Sequence, residues 1–182
     1  MKKEIQDTIT TIYGKHNYKL FQEKCQEGLC IDQGFFDILQ SAGTFLEMEG
    51  TMPRPGKEWY VNFKTVSISQ FSITYRVNIK ISKLIPIFIV EYDYSITNRG
   101  SSHIAGDLFD FSGTPYCKNQ LHFYERIRDY LQDRGYTELS FEEASEQTCD
   151  PGWFHNTMDT QYPLSVGSLL TGCGYDWDED QR

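Results

Sequence analysis

Apolar positions in the first 27 residues recur with the period of a helix. Ile5, Ile9, Ile12 and Tyr13 stand at i, i+4, i+7 and i+8, and Leu20, Phe21 and Cys25 continue the stripe beyond Gly14. Gly14 marks a kink or break, and Gly28 is placed to act as a C-terminal stop. A second, short helix is expected from Asp32 to Ser41, with Phe35, Phe36 and Leu39 facing inward and Gly43 ending it.

The period then changes from 3.6 to 2. Trp59, Val61 and Phe63 alternate with Glu58, Tyr60, Asn62 and Lys64. From Phe71 the alternation is strict: Phe71, Ile73, Tyr75, Val77, Ile79 and Ile81 interleave with Ser72, Thr74, Arg76, Asn78, Lys80 and Ser82. Such a segment is a strand with one buried and one wet face, and the odd-numbered set is expected beneath helices. The next strand, Ile85 to Ile96, begins apolar on both faces and so belongs in the middle of a sheet. Pro86 near its start is compatible with that, because the first residue of a strand need not donate to the ladder. Ser82-Lys83 is read as the short connection between the two, giving a hairpin within an antiparallel meander. Asn98 to Ser102 reads as a loop, and Ile104 to Phe111 as a further short strand.

Helical spacing returns from Asn119 to Arg134, with Leu121, Tyr124, Ile127 and Leu131 on one side and Gly135 where a left-handed cap belongs. Ser140-Phe141-Glu142-Glu143 has the capping-box pattern, so a short helix should begin at Phe141. Beyond Asp150-Pro151-Gly152-Trp153 the pattern weakens, and Leu164, Val166, Leu169 and Leu170 are left to form one last short element. Helices, a run of strands and then helices predict an α+β fold: an antiparallel β-meander sheet with N-terminal helices and a late amphipathic helix packed on one side. The alternating βα units of a doubly wound nucleotide-binding fold are absent from the pattern.

Length and composition agree with that picture. The 182 residues suit a single domain spanning 1–182. A compact chain of that size buries about 70% of its unfolded surface and needs no disulfide or metal to fold. Aromatic residues make up 15%, which favours strands. The N-terminal residues mix charges with apolar positions, unlike a secretory signal, and the longest apolar run, Leu84 to Val90, is strand-length, far short of a bilayer span. Five cysteines at scattered spacings, Cys25, Cys30, Cys117, Cys149 and Cys173, give neither a disulfide framework nor a zinc knuckle. Reduced thiols and a cytoplasmic location are expected.

Charge changes the picture more. Residues 1–91 carry 11 Lys and Arg against 10 Asp and Glu; residues 92–182 carry 6 against 16. Residues 135–181 hold ten carboxylates and no Lys or Arg. A one-signed surface speeds encounter with a positive partner and repels a negative one, so nucleic acid is disfavoured as a ligand. Residues 175–182, with Asp176, Asp178, Glu179 and Asp180, read as a flexible, solvated acidic tail. The stretch from Glu138 to Asp159 reads as a binding face. There Glu138, Glu142, Glu143, Glu146, Asp150 and Asp159 would steer a cationic protein partner, with Trp153 and Phe154 as aromatic anchors.

Signatures of catalysis and metal binding are missing. No GxSxG, Walker loop, GxGxxG or HExxH occurs, and the carboxylates near the C-terminus lack the glycine and distant glutamate of a calcium loop. No cofactor or metal site is expected. The one nucleophilic combination to weigh is Cys117, just before a predicted helix, with His122 or His103 as base; an inert thiol is the simpler reading. A small enzyme using Cys117 and His122, or a scaffold protein, are the alternatives to an inhibitor.

Tyr124 to Leu131, followed by Arg134-Gly135-Tyr136-Thr137-Glu138-Leu139-Ser140, resembles bacterial immunity proteins of polymorphic and contact-dependent toxin systems. The resemblance covers about a third of the chain in a general way and transfers no binding residue by position. It implies a small acidic cytosolic α+β protein that binds a cognate toxin domain, often a cationic nuclease, and blocks its active site without catalysis of its own. It also implies a meander sheet and a late helix that closes on a Gly-Tyr turn.

Overall fold

A computed structural model describes residues 2–48, 54–98, 108–146 and 165–172. The chain is α+β. Two long strands, β4 (Phe71–Ser82) and β5 (Ile87–Asn98), pair antiparallel from Phe71 opposite Asn98 to Ile81 opposite Phe88. Shorter strands extend the sheet on both sides. β2 (Gly56–Asn62) pairs with β4 and carries β1 (Thr44–Glu47) at the edge, and β3 (Val66–Ile68) pairs with the far end of β4. β6 (Leu108–Ser112) lies antiparallel to β5, while the two-residue β7 (Thr137–Glu138) lies parallel to the start of β5. That parallel pair departs from the expected meander, as does β3, which lies off the main path and leaves β2 beside β4. The connection between β4 and β5 is residues 83–86, longer than Ser82-Lys83, because Pro86 and the apolar Leu84 and Ile85 sit outside the ladder.

Helices cover both faces of the sheet, not one. On the first face α3 (Gln33–Ala42) and α4 (Lys118–Gln132) enclose Trp59, Val61, Val77, Ile79, Ile81, Phe88, Val90 and Tyr92. Phe35 meets Trp59 edge-on at 4.8 Å between centroids, and both are fully buried. On the second face, α1 (Lys3–Ile9), a π-helical turn (Thr10–Gly14) and α2 (Tyr18–Gln26) bury Ile5, Ile9, Ile12, Tyr13, Phe21 and Cys25 against Ile87 and Ile89. A short α5 (Phe141–Ser145) and a second π-helical turn (Ser168–Gly172) complete this layer with Ala144, Val166, Leu169 and Leu170. The alternation of β5 explains why both faces are closed: even positions feed one core and odd positions the other. Gly56 makes this possible locally, since a Cβ there would come within 2.8 Å of the Thr171 backbone.

Local signals are realised unevenly. The capping box of Ser140 and Glu143 is present in full, and Gly135 has φ +84°, a left-handed conformation that glycine adopts without penalty. Asp32 caps α3 by accepting from Gly34 N–H at 2.8 Å. α2 ends because Glu27 turns extended, not through a left-handed Gly28. The inward stripe of α4 is Gln120, Phe123, Ile127 and Leu131; the expected Leu121 is 41% exposed. The far end of β4 projects beyond the helices, leaving Phe71 40% exposed and Ile73 and Tyr75 half-buried where burial was expected. β1 and β3, unmarked by clear periodicity, were not anticipated.

Candidate functional site

Four of the eight residues anticipated as a binding face are described. Glu138 lies on β7, and its carboxylate accepts from Tyr124 Oη at 2.8 Å. Burial, then the hydrogen bond to Glu138, pushes the Tyr124 phenol above its ordinary value. Glu143 closes the capping box by accepting from Ser140 N–H at 3.0 Å, and Lys2 Nζ stands 3.9 Å away. Lys2 also donates to the Glu138 carbonyl at 3.2 Å, so a cation from the N-terminal helix reaches into this acidic stretch. Glu142 and Glu146 are exposed. The carboxylates of Glu138 and Glu143 engage local structure, whereas Glu142 and Glu146 are exposed, the Glu146 carbonyl accepting from Val166 N–H at 2.9 Å. Asp150, Trp153, Phe154 and Asp159 lie outside the described residues, as does the tail 175–182.

A second constellation stands on the polar half of the second sheet face. The register sets Tyr60, Asn78 and Glu91 in one row across β2, β4 and β5, with Glu58 and Lys80 in the next and Arg76 and Asp93 beyond. Asn78 Nδ2 donates to Glu58 Oε1 at 2.7 Å and to Glu91 Oε2 at 3.2 Å. Tyr60 Oη donates to Glu58 Oε1 at 3.1 Å. Lys80 Nζ is 2.7 Å from Glu91 and 4.0 Å from Glu58, and Arg76 Nε donates to Asp93 Oδ1 at 2.5 Å. The Glu58, Glu91 and Asp93 side chains are only 16%, 14% and 2% exposed. Burial, followed by the charge of Glu58, pushes the Tyr60 phenol up to about 12. Among the described residues, the buried acceptor Asn78 Oδ1 has no partner.

No hydrogen bond joins Cys117 to His122, and His103 lies outside the described residues. Cys117 is the N-cap residue of α4 and makes no side-chain cap bond. His122 projects from the flank of α4, 71% exposed, with Nδ1 3.4 Å from Glu125. It lines a shallow cleft of about 260 Å³ with Ser41, Phe63 and Arg126, and Cys117 is not part of that lining. A wider open groove of about 530 Å³ runs between α1 and α2 over Ile12, Leu20 and Leu84. Among the described residues, no group of three His, Cys, Asp or Glu side chains is arranged to hold a metal ion. Nor is any described helix long and apolar enough to cross a membrane.

Comparison with family models, curated proteins and solved structures finds no match to this chain. The sheet-face cluster was passed over in the sequence because Arg76, Asn78 and Lys80 read simply as the wet face of a strand. The signal was Glu91 and Asp93 at odd positions directly after the apolar run Ile87 to Val90. Pairing them with β4 required the register, which the length of the 83–86 connection sets.

Proposed function

We propose that this chain is a non-enzymatic acidic binding protein that neutralises a cationic protein, in the manner of an immunity-type inhibitor of a toxin domain. The observation that carries the reading is the segregation of charge: ten carboxylates and no Lys or Arg in residues 135–181. The exposure of Glu142 and Glu146 on and beside α5 supports it, since solvent-facing carboxylates act on the approach of a partner. The resemblance of residues 124–140 to immunity proteins points the same way.

The test is co-expression with the product of the neighbouring gene, scored for rescue of growth, and then stopped-flow association of the two proteins across a salt series. The informative variant is Glu142→Lys with Glu146→Lys. Glu143 is left intact, because reversing it would break the capping box at a cost of about 1 kcal/mol. The double variant should associate about tenfold more slowly at low salt. The difference should shrink near physiological ionic strength, where screening acts within about 8 Å. Equal association rates at low salt would refute this assignment of the acidic face.

A further inference from the structure

We propose that the sheet-face cluster of Glu58, Tyr60, Asn78 and Glu91 receives a guanidinium group from a protein partner. Leu46 on the neighbouring edge strand β1, and Met48 just past its end, provide the adjoining apolar contact. The source of the ligand rests on the cationic partner proposed above; the site itself rests on its own inventory of charges and hydrogen bonds.

Among the described residues, the cluster is short of one positive charge. Arg76 is committed to Asp93, which leaves the two carboxylates of Glu58 and Glu91 to share the single ammonium of Lys80. Both carboxylates are mostly removed from water, where an unbalanced charge is costly. The Tyr60 phenol is raised first by burial and then by the charges of Glu58, Glu91 and Asp93 around it. The cluster is also short of one donor. Asn78 is 1% exposed, its amide nitrogen serves both carboxylates, and its Oδ1 accepts nothing from the described residues. Rotating the amide would not help, since it would turn Oδ1 toward two acceptor-only carboxylates. A buried acceptor left unmet carries its full desolvation penalty, so its retention calls for a reason.

One group supplies both deficits. A guanidinium is always charged, and its five N–H donors can serve a carboxylate and a neighbouring carbonyl oxygen together. An ammonium concentrates its charge and sheds water less readily, so lysine is the poorer fit. The Lys80 stem, rich in rotamers, is the neighbour with most freedom to move aside and open a path to Oδ1. The surroundings suit a protein ligand. Leu46 lies opposite Tyr60, and Met48 N–H bonds the Glu58 carbonyl, yet the two residues are 60% and 38% exposed at the edge of the sheet. An arginine flanked by apolar residues would satisfy the cluster and cover that edge at once.

The probe is the blocked tripeptide acetyl-Leu-Arg-Leu-amide, titrated into the ¹⁵N-labelled full chain at low salt, with the citrulline tripeptide as the uncharged control. Expected are saturable shifts of the Asn78 side-chain amide and of the Leu46 and Met48 backbone amides, with little response to citrulline. Glu91→Gln keeps an acceptor for Asn78 but removes the charge, and should weaken binding about tenfold. Glu58→Gln is the second variant should the first melt early, and Leu46→Ser should weaken binding without touching the charges. Non-saturating shifts, shifts confined to α5, or equal affinity of the parent and both Gln variants would overturn the proposal. If the tripeptide does not bind but Glu142→Lys with Glu146→Lys still slows the partner, the sheet-face site falls and the acidic-face reading stands. If it binds here while that charge reversal changes nothing, the outcome is the opposite.

Discussion

Replacing Gln120 by Leu should destabilise the protein more than removing the neighbouring Leu121 side chain, although hydropathy alone ranks them the other way. Gln120 is completely buried on α4. Its Nε2 donates to the carbonyls of Arg76 at 2.7 Å and Asp93 at 3.1 Å, and its Oε1 accepts from Tyr116 N–H at 2.7 Å. One amide thus pins the start of α4 to adjacent strands. Each such bond contributes about 1 kcal/mol net, and orphaning a buried partner costs about 1–3 kcal/mol. The two carbonyls have second lone pairs and Tyr116 is partly solvated, so Gln120→Leu is placed at about 2–3 kcal/mol. Leu121 is 41% exposed, and Leu121→Ser should stay within about 0.5 kcal/mol. Urea unfolding followed by tryptophan fluorescence measures both, since Trp59 is fully buried between the sheet and α3. The slope against urea should be unchanged, and the melting temperature of Gln120→Leu should fall by about 4–12 °C. A Leu121→Ser cost near 2 kcal/mol with Gln120→Leu near neutral would show that α4 is rotated from the orientation described and refute this account.

Thiol reactivity should be graded in the native protein. At pH 8 Cys30, which is exposed, should react with a thiol reagent readily, while Cys25, whose thiol burial pushes up to about 11, should be protected until unfolding; comparable rates would contradict the packing of α2. Stability in acid should depend on Asp32, held below its ordinary value of 3.8 by hydrogen bonds from Arg134, Tyr130 and Gly34 N–H. Because the folded carboxyl titrates below the unfolded one, its contribution is present above about pH 4 and is lost as pH falls through the folded value. The gap in urea midpoint between the parent and Asp32→Asn should therefore close in acid, and a constant gap from pH 7 to pH 2 would rule this out.

The fold was legible wherever one periodicity governed a long segment. β4, the apolar opening of β5 and the capping box of α5 were all visible, because alternation and the Ser-x-x-Glu spacing are local properties of the chain. The rotation of α4 was not. Gln120 looks like a surface residue until the carbonyls of Arg76 and Asp93 are brought beneath it, and those come from strands 27 and 44 positions away. The second core was legible in part: both faces of Leu84 to Val90 are apolar, which implies cover on each side. Which helices supply that cover depends on the tertiary arrangement. Of the proposed acidic face, the identity of the carboxylates was evident from sequence. That the carboxylates of Glu138 and Glu143 bond to neighbouring groups, and that Glu142 and Glu146 are exposed, emerges only from the fold.

The two sheet faces differ in what their polar residues do. On the α3–α4 face, Gln120 answers backbone groups and the remaining buried surface is almost wholly apolar, an economical way to stabilise a sheet. The second face is apolar only where α1, α2 and the second π-helical turn cover it. Beyond Ile89 the same strand turns to Glu91 and Asp93, and β4 answers with Arg76, Asn78 and Lys80. Apolar residues at those positions would extend the core at no cost in desolvated charge, and replacing half-buried ion networks by apolar packing is often neutral or stabilising. Folding alone therefore gives little reason for three carboxylates, two cations and an unmet amide oxygen to share one strip of sheet. Recognition gives one, because a nearly balanced, preorganised cluster discriminates against partners that cannot complete it and admits the one that can. The long-range field of residues 135–181 and this cluster would then serve successive steps, with the field governing approach and the cluster governing fit.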